Sequence, residues 1–266
     1  MAVNETGIAV VTGASTGLGA GYAKRLAARG YDLLLVARNK QRLAALAAEI
    51  TATHADRKVE VLVADLTEAA GLEAVEQRLA SDASIEILVN NAGGSLFGPV
   101  NGADPAALEN LVTLNVTSLS RLTAAVAAPL VARGHGAIVN VASALALNIM
   151  PVSAAYSGTK AYVLAFTQGL AQELADSGVQ VQAVLPGAVR TEFWDGSGIE
   201  LSALPDEWVM SVDDAVDAAL AGFDRHEPVS ILSLPEIGEW ESYDAARQAL
   251  VPNLSRSTPA GRYTAA

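Results

Sequence analysis

The chain has 266 residues, 51% of them hydrophobic, with 29 acidic against 17 basic side chains, a net charge of −12 and a pI near 4.6. Such an acidic chain repels phosphate backbones and anionic bilayers, which excludes nucleic acid and membrane as expected partners. The absence of cysteine excludes disulfides and thiolate chemistry, and the length suits a single α/β domain with a large core, spanning 1–266.

In chain order, IAVVT (8–12) is a short apolar run ended by glycine, which predicts a buried strand. Helical spacing follows from Gly17 to Arg29, with Gly30 placed to cap it. The pattern then predicts a strand over 31–37, an amphipathic helix over 39–53 with Asn39 as N-cap, a strand over 59–64, a helix over 69–82 and a strand over 85–90. A long helix fits 105–133, kinked at Pro129. A strand over 136–143, a helix over 156–176, a strand over 179–185, a helix over 213–223 and a strand over 229–232 complete the series. Seven strands alternate with helices, and the strands are mostly continuous apolar runs. That alternation predicts a parallel sheet covered by helices on both faces, a three-layer αβα architecture.

Two stretches break the alternation. Residues 187–210 carry Phe193, Trp194, Leu201, Leu204 and Trp208 among Gly, Ser and Pro, which suggests a substrate lid. Residues 233–266 form a C-terminal extension. Residues 136–159 run 24 positions without a charge, long enough to cross a bilayer. Asn140, Ser143, Asn148, Pro151 and Ser153 within them favour a buried strand and a polar-lined loop instead. The opening MAVNETGIAVVTG lacks a basic signal-peptide n-region, so the expected setting is cytoplasmic.

The first strand runs into TGASTGLGAG (12–21), with glycines at 13, 17, 19 and 21. Glycine permits a tight turn and close approach of backbone N–H groups, and a helix N-terminus after it favours a pyrophosphate. The same residues allow a second reading. Gly13-Ala14-Ser15-Thr16-Gly17 matches the G-x-S-x-G nucleophile elbow, with acids and His226 following in order. Only one strand precedes it, and no HGGG-type oxyanion segment is present, so a Ser15 hydrolase is the lesser alternative.

With the glycine loop, NNAG at 90–93, Asn115, Ser143 and Tyr156-x-x-x-Lys160 in this order, the chain resembles the short-chain dehydrogenase/reductase family up to about residue 235. The resemblance implies a Rossmann-like, doubly wound sheet of strand order 3-2-1-4-5-6-7 that binds a nicotinamide dinucleotide. It implies a catalytic set of Asn115, Ser143, Tyr156 and Lys160. It implies cofactor contacts from Gly13, Ser15, Thr16, Gly17, Leu18 and Gly19 in the loop, and from Asp65 and Leu66 beside the adenine. Asn91, Ala92 and Gly93 would line the cofactor's middle, and Pro186, Gly187 and Thr191 its nicotinamide end. It further implies a homodimer or homotetramer, for which helices 105–133 and 156–176 could pair.

The chemistry suits these residue types. Reducing a carbonyl needs a hydride, which the dinucleotide supplies, and a proton, which the protein supplies. Tyrosine has an ordinary pKa of about 10. Lys160, one turn along the helix, and oxidised nicotinamide would favour the phenolate. A fall of about three units corresponds to roughly 4 kcal/mol. Tyr156 is then the general acid in reduction and base in oxidation. Ser143 would hydrogen-bond the carbonyl oxygen, Lys160 would hold the ribose hydroxyls, and Asn115 would hold a water joining Lys160 to solvent.

The second strand ends Val36-Ala37-Arg38, without the acid that holds a free ribose 2′-OH in dinucleotide folds. Arg38, with Ser15, therefore points to NADP(H) over NAD(H). Leu145, Leu147, Met150, Phe193, Trp194 and Trp208 suggest a small-molecule carbonyl or alcohol substrate with an apolar body. His54, His135 and His226 are scattered, and no metal site is expected. A dinucleotide-binding regulator without turnover is the remaining alternative, opposed by the complete Ser–Tyr–Lys set.

Overall fold

Strand β1 (Ile8–Thr12) shows how the chain is layered. Side chains alternate across a strand, and Ala9 and Val11 join one buried cluster while Val10 joins the other. Both faces of the strand are therefore dry, as a parallel sheet between two helical layers requires. The computed structural model describes residues 7–195 and 197–264.

The elements follow as α1 (Gly17–Ala28), β2 (Asp32–Ala37), α2 (Lys40–Thr53), β3 (Val59–Val63), α3 (Ala69–Ser81), β4 (Ile85–Asn90), α4 (Pro105–Val112), α5 (Leu119–Arg133), β5 (Gly136–Val141), α6 (Ala154–Glu173) and β6 (Val179–Leu185). Two short strands, β7 (Ala188–Val189) and β8 (Val209–Met210), precede α7 (Val212–Asp224) and β9 (Val229–Ile231). The seven-stranded parallel sheet has the order β3-β2-β1-β4-β5-β6-β9. This is the expected order, with β9 as its seventh member. The order reverses between β1 and β4, which opens a crevice at the carboxyl ends of those strands. Helices α1, α2 and α7 pack on one face, and α3, α5 and α6 on the other.

The caps follow their residue types. Asn39 accepts from the Arg42 N–H at 3.0 Å and starts α2. Gly30, at φ 97°, ends α1, with its N–H on Ala27 O at 3.0 Å and the Tyr31 N–H on Leu26 O at 3.1 Å. These two bonds form a Schellman motif. The end of α7 has the same pair of bonds, from His226 to Phe223 and from Glu227 to Gly222, but the left-handed position is held by His226 at φ 57°. That explains one scattered histidine as a helix terminator. Among the described residues, no group of three or more His, Cys, Asp or Glu could hold a metal.

Three local expectations are corrected. Helix 105–133 is interrupted by a π-helical segment at Thr113–Ser118, around Asn115, which was not expected, and Pro129 lies inside α5. Such segments form where tertiary bonds pull one residue out of the ladder. Strand β5 stops at Val141, although Ala142 still donates to Val184 O of β6 and Ala144 to Pro186 O just beyond it. Helix α6 begins at Ala154, two residues before Tyr156, so the tyrosine stands in its first turn. The helical stretch Pro105–Arg133 is long and apolar enough to cross a membrane by length and composition. Its α5 half buries Leu122, Val126 and Leu130 in the same cluster as residues of α3 and β4, as a core helix does.

One compact unit ends at Leu232 and a second begins at Ser233. The second contains α8 (Ile237–Gln248), where Trp240 stacks on Tyr243 at 5.6 Å. The sequence reading assigned no helix there.

Candidate active site

The turn after β1 is made by backbone. Gly13 and Gly17 have φ 64° and 53°, where L side chains are strained. A Cβ on Gly19 would lie 2.3 Å from Gly13 O, so only glycine lets α1 meet the turn. Thr16 precedes α1 without a side-chain cap bond, which leaves the first-turn N–H groups facing outward for an anion. Thr12, which sequence reasoning passed over, locks the turn to β4. Its hydroxyl accepts from Asn91 N and Ala92 N, both at 3.0 Å, and donates to Val89 O at 3.3 Å. The Asn91 carboxamide is likewise spent on Thr12 O at 2.9 Å and Gly13 O at 3.3 Å. Ser15, Thr16 and Gly17 line a cavity of about 490 Å³ with Lys24, Arg42 and Thr191. No histidine lines it, which removes the support for a Ser15 nucleophile.

At the other end of the crevice stand the four expected polar residues. Ser143, Tyr156, Lys160 and Asn115 are all at most 8% exposed. Ser143 follows β5 and its Oγ accepts from Leu145 N at 3.1 Å. Lys160 Nζ donates to Val141 O at 2.8 Å and lies 5.8 Å from the Tyr156 ring centroid. Asn115 Oδ1 accepts from Gly94 N at 2.8 Å, and its amide donates to Gly94 O and Thr159 Oγ1, both at 3.0 Å. Both amide protons are thus used within the protein. A Cβ on Gly93 would stand 3.3 Å from Asn115 Oδ1 and 3.5 Å from Lys160 Nζ, so Gly93 keeps the space between them open.

Burial moves both titratable groups toward neutrality. It pushes the Tyr156 phenol up to about 12, with the Ser143 hydroxyl pulling the other way. It lowers the Lys160 ammonium to about 8.

On the adenosine side, Arg38 is 74% exposed, and its guanidinium lies 3.7 Å from Asp65 Oδ2. Burial works against Asp65 ionising, but two bonds from Thr67 and the nearby Arg38 hold its carboxyl below the usual range. An acid therefore does stand near Arg38, delivered by the chain after β3 rather than by β2. The Leu66 side chain belongs to the core. Leu18 packs partly buried on α1, and Pro186 and Gly187 follow β6. Thr191 sits against Gly17, where a Cβ would meet its methyl at 3.0 Å.

Above Tyr156 lies aromatic surface. Phe193 is 5.7 Å and Phe97 is 5.3 Å from its ring centroid, and Trp194 packs on both phenylalanines. Phe97 was not legible beforehand, because a lone aromatic in the loop SLFGP carries no periodic signal. Leu145, Leu147 and Met150 are half-buried between β5 and α6, while Trp208 is exposed and is not one of the rings on Tyr156.

The comparisons agree with this geometry. The family model for short chain dehydrogenase matches residues 7–200. A short-chain dehydrogenase from Sphingobium yanoikuyae, solved in complex with NADPH, is 49% identical, with a TM-score of 0.93, over 97% of this chain and 100% of that one. A bulky-bulky ketone specific alcohol dehydrogenase from Comamonas testosteroni is 41% identical, with a TM-score of 0.89, over 98% of this chain and 99% of that one. The very-long-chain 3-oxoacyl-CoA reductase of Anas platyrhynchos is 35% identical over 69% of this chain and 60% of that protein. The chain belongs to the short-chain dehydrogenase/reductase family and is an NAD(P)-dependent oxidoreductase.

Proposed function

We propose that the protein interconverts bulky, apolar ketones and their alcohols with NADP(H), using Tyr156 as the general acid in reduction and the general base in oxidation. The observation that carries this reading is the buried Ser143–Tyr156–Lys160 group at one end of a crevice whose other end is a glycine cradle. The dinucleotide, when bound, supplies the hydride. The first turn of α1, from Gly17, would hold its pyrophosphate, and Arg38 would hold its 2′-phosphate. Ser143 and Tyr156 present hydroxyls to the substrate oxygen and strengthen their bonds as negative charge gathers there. Tyr156 gives its proton to that oxygen, and Lys160 lies near enough to stabilise the resulting phenolate. Burial moves the tyrosine and the lysine toward neutrality, and the positive charge of oxidised nicotinamide, brought near them, would favour the phenolate.

The bulky substrate class is supported by the aromatic surface over Tyr156 and by the name of the Comamonas relative. Residues 187–210, tethered by the β7–β8 pair, are read as the lid over that surface. An assembly through α5 and α6 is part of the same reading, supported by Tyr162, 40% exposed and stacked on Phe166. So is a cytoplasmic setting, supported by the acidic, cysteine-free composition.

The test is NADPH absorbance loss with a panel of aryl and dialkyl ketones, with NADH run beside it. Turnover with NADPH at higher kcat/KM than with NADH is expected. Tight NADPH binding without turnover of any ketone or aldehyde would make the protein a regulator instead.

A further inference from the structure

Four aromatic rings from three separate segments, Tyr156 among them, close into a circuit. Phe97 comes from the loop between β4 and α4, Tyr156 from α6, and Phe193 and Trp194 from the turn after β7. Centroid distances around the circuit are 5.3 Å (Tyr156–Phe97), 6.2 Å (Phe97–Trp194), 5.5 Å (Trp194–Phe193) and 5.7 Å (Phe193–Tyr156). Three of these contacts are inclined, at 54°, 89° and 57°, the tilted and edge-on arrangements that aromatic pairs favour. The Phe97–Trp194 pair differs: its planes are parallel within 8° and its centroids are the farthest apart.

Backbone and side-chain bonds fix that pair. Trp194 Nε1 donates to Val189 O at 2.9 Å, which sets the indole plane. Phe97 N donates to Ser197 O at 3.2 Å, and Gly98 N to Val152 O at 2.7 Å, so the loop carrying Phe97 is pinned from both sides. Both residues are only half-buried, so each keeps accessible surface. No charged side chain belongs to the circuit. Lys160, 5.8 Å from the Tyr156 ring centroid, is buried and bonded to Val141 O.

We propose that Phe97 and Trp194 form a pre-set stacking wall that selects ketones bearing a flat aromatic substituent on the carbonyl carbon. The inference rests on the carbonyl-reductase reading and sharpens it. A flat ring laid parallel to the pair extends the stack over the outer face of one member, whereas a cyclohexyl group of similar size is puckered and meets that face only along edges. The carbonyl oxygen then points to Ser143 and Tyr156. Phe97 acts here as a specificity-determining residue; it takes no part in proton transfer.

The test compares kcat/KM for a phenyl alkyl ketone with that for the matching cyclohexyl alkyl ketone. The wild type is expected to favour the phenyl ketone by about tenfold, the order of an aromatic pair's added contribution. In Phe97→Leu, which keeps apolar bulk without a flat face, that ratio should fall toward unity, and Phe97→Tyr should keep it within about threefold. Thermal melting checks that the variants are folded; should Phe97→Leu unfold, Trp194→Leu carries the same ratio measurement. A wild type active on both ketones, whose ratio is near unity or does not move in the leucine variants, overturns the wall alone. A wild type that reduces neither overturns the reductase reading and the wall with it.

Discussion

The two ends of the crevice are made of opposite materials. In the proposed function the glycine end works through backbone N–H donors, and side chains such as Thr12 and Asn91 hold the backbone in place. The tyrosine end is proposed to work through buried side chains, which the backbone holds, as Val141 O does for Lys160 and Gly94 for Asn115. A site made of backbone is broken by adding atoms. A site made of side chains is broken by removing one. The first kind of damage harms binding and folding together; the second can remove chemistry and leave both intact.

The largest effect is expected from adding atoms at the glycine end. In Gly19→Val the new Cβ would stand 2.3 Å from Gly13 O, in the turn itself, and 2.6 Å from Asn91 Nδ2, which bonds to that turn. The variant should lose several kcal/mol of stability, about 3 or more, and bind NADPH at least roughly a hundredfold more weakly. Urea unfolding and a calorimetric titration measure the two losses.

Removing Lys160 sharpens the contrast from the other side. Its ammonium is buried and its pKa falls to about 8, so the folded protein carries a desolvation cost in full below that pH. Above it the folded state sheds a proton that the unfolded state keeps until about 10.4, and stability rises with pH across that window. Tyr156, pushed up to about 12, works in the reverse sense. Its folded form keeps a proton that the unfolded chain loses near pH 10, so stability falls above that point. Lys160→Met should be more stable than wild type near neutrality by up to about 3 kcal/mol and should lack the alkaline rise, while losing activity. Denaturant midpoints across the pH series check both signs.

Arg38→Asp probes a side chain placed at the binding end. Charge-assisted bonds to a 2′-phosphate contribute roughly 1.5–3 kcal/mol each, so NADPH efficiency should fall by about tenfold or more, with a slight gain for NADH. The ratio of kcat/KM for the two cofactors in both proteins decides it. A wild type that prefers NADH would leave Arg38 as merely the partner of Asp65.

The smallest change lies outside the crevice. His226 occupies a left-handed position at φ 57° that glycine adopts without strain. His226→Gly should raise stability by about 0.5–1 kcal/mol and leave kinetics unchanged, which a melting curve can show.

How far the sequence discloses each region follows from the range of the forces involved. Strands, caps and the glycine turn depend on neighbours within a few residues, and IAVVT, Asn39 and Gly30 could be read directly. The π-helical segment could not, because TLNVTS is spaced like any helix and its distortion accompanies bonds from Asn115 to Gly94 and Thr159, 21 and 44 residues away. Asp65 is expected beside the adenine, but its approach to Arg38 is not legible for a similar reason: inspecting the end of β2 does not reveal what the next strand delivers. Within 187–210 the β7–β8 pair has two residues per strand, too few for any period to register. The helix at 237–248 was overlooked because IGEWESYDAARQ buries only Trp240 and so has no apolar stripe. Phe97 joined the site by tertiary packing alone.

The central claim, that the glycine end binds while the tyrosine end reacts, is tested most directly by Tyr156→Phe. The substitution removes one oxygen and keeps the ring against Phe97 and Phe193. Ketone-reduction kcat and NADPH Kd are measured on the same preparation. A fall in kcat of about a thousandfold, in the range of general acid catalysis, with Kd changed by less than about twofold, is the predicted result. A kcat within about threefold of wild type, or a loss of NADPH binding equal to the loss of rate, would contradict the account.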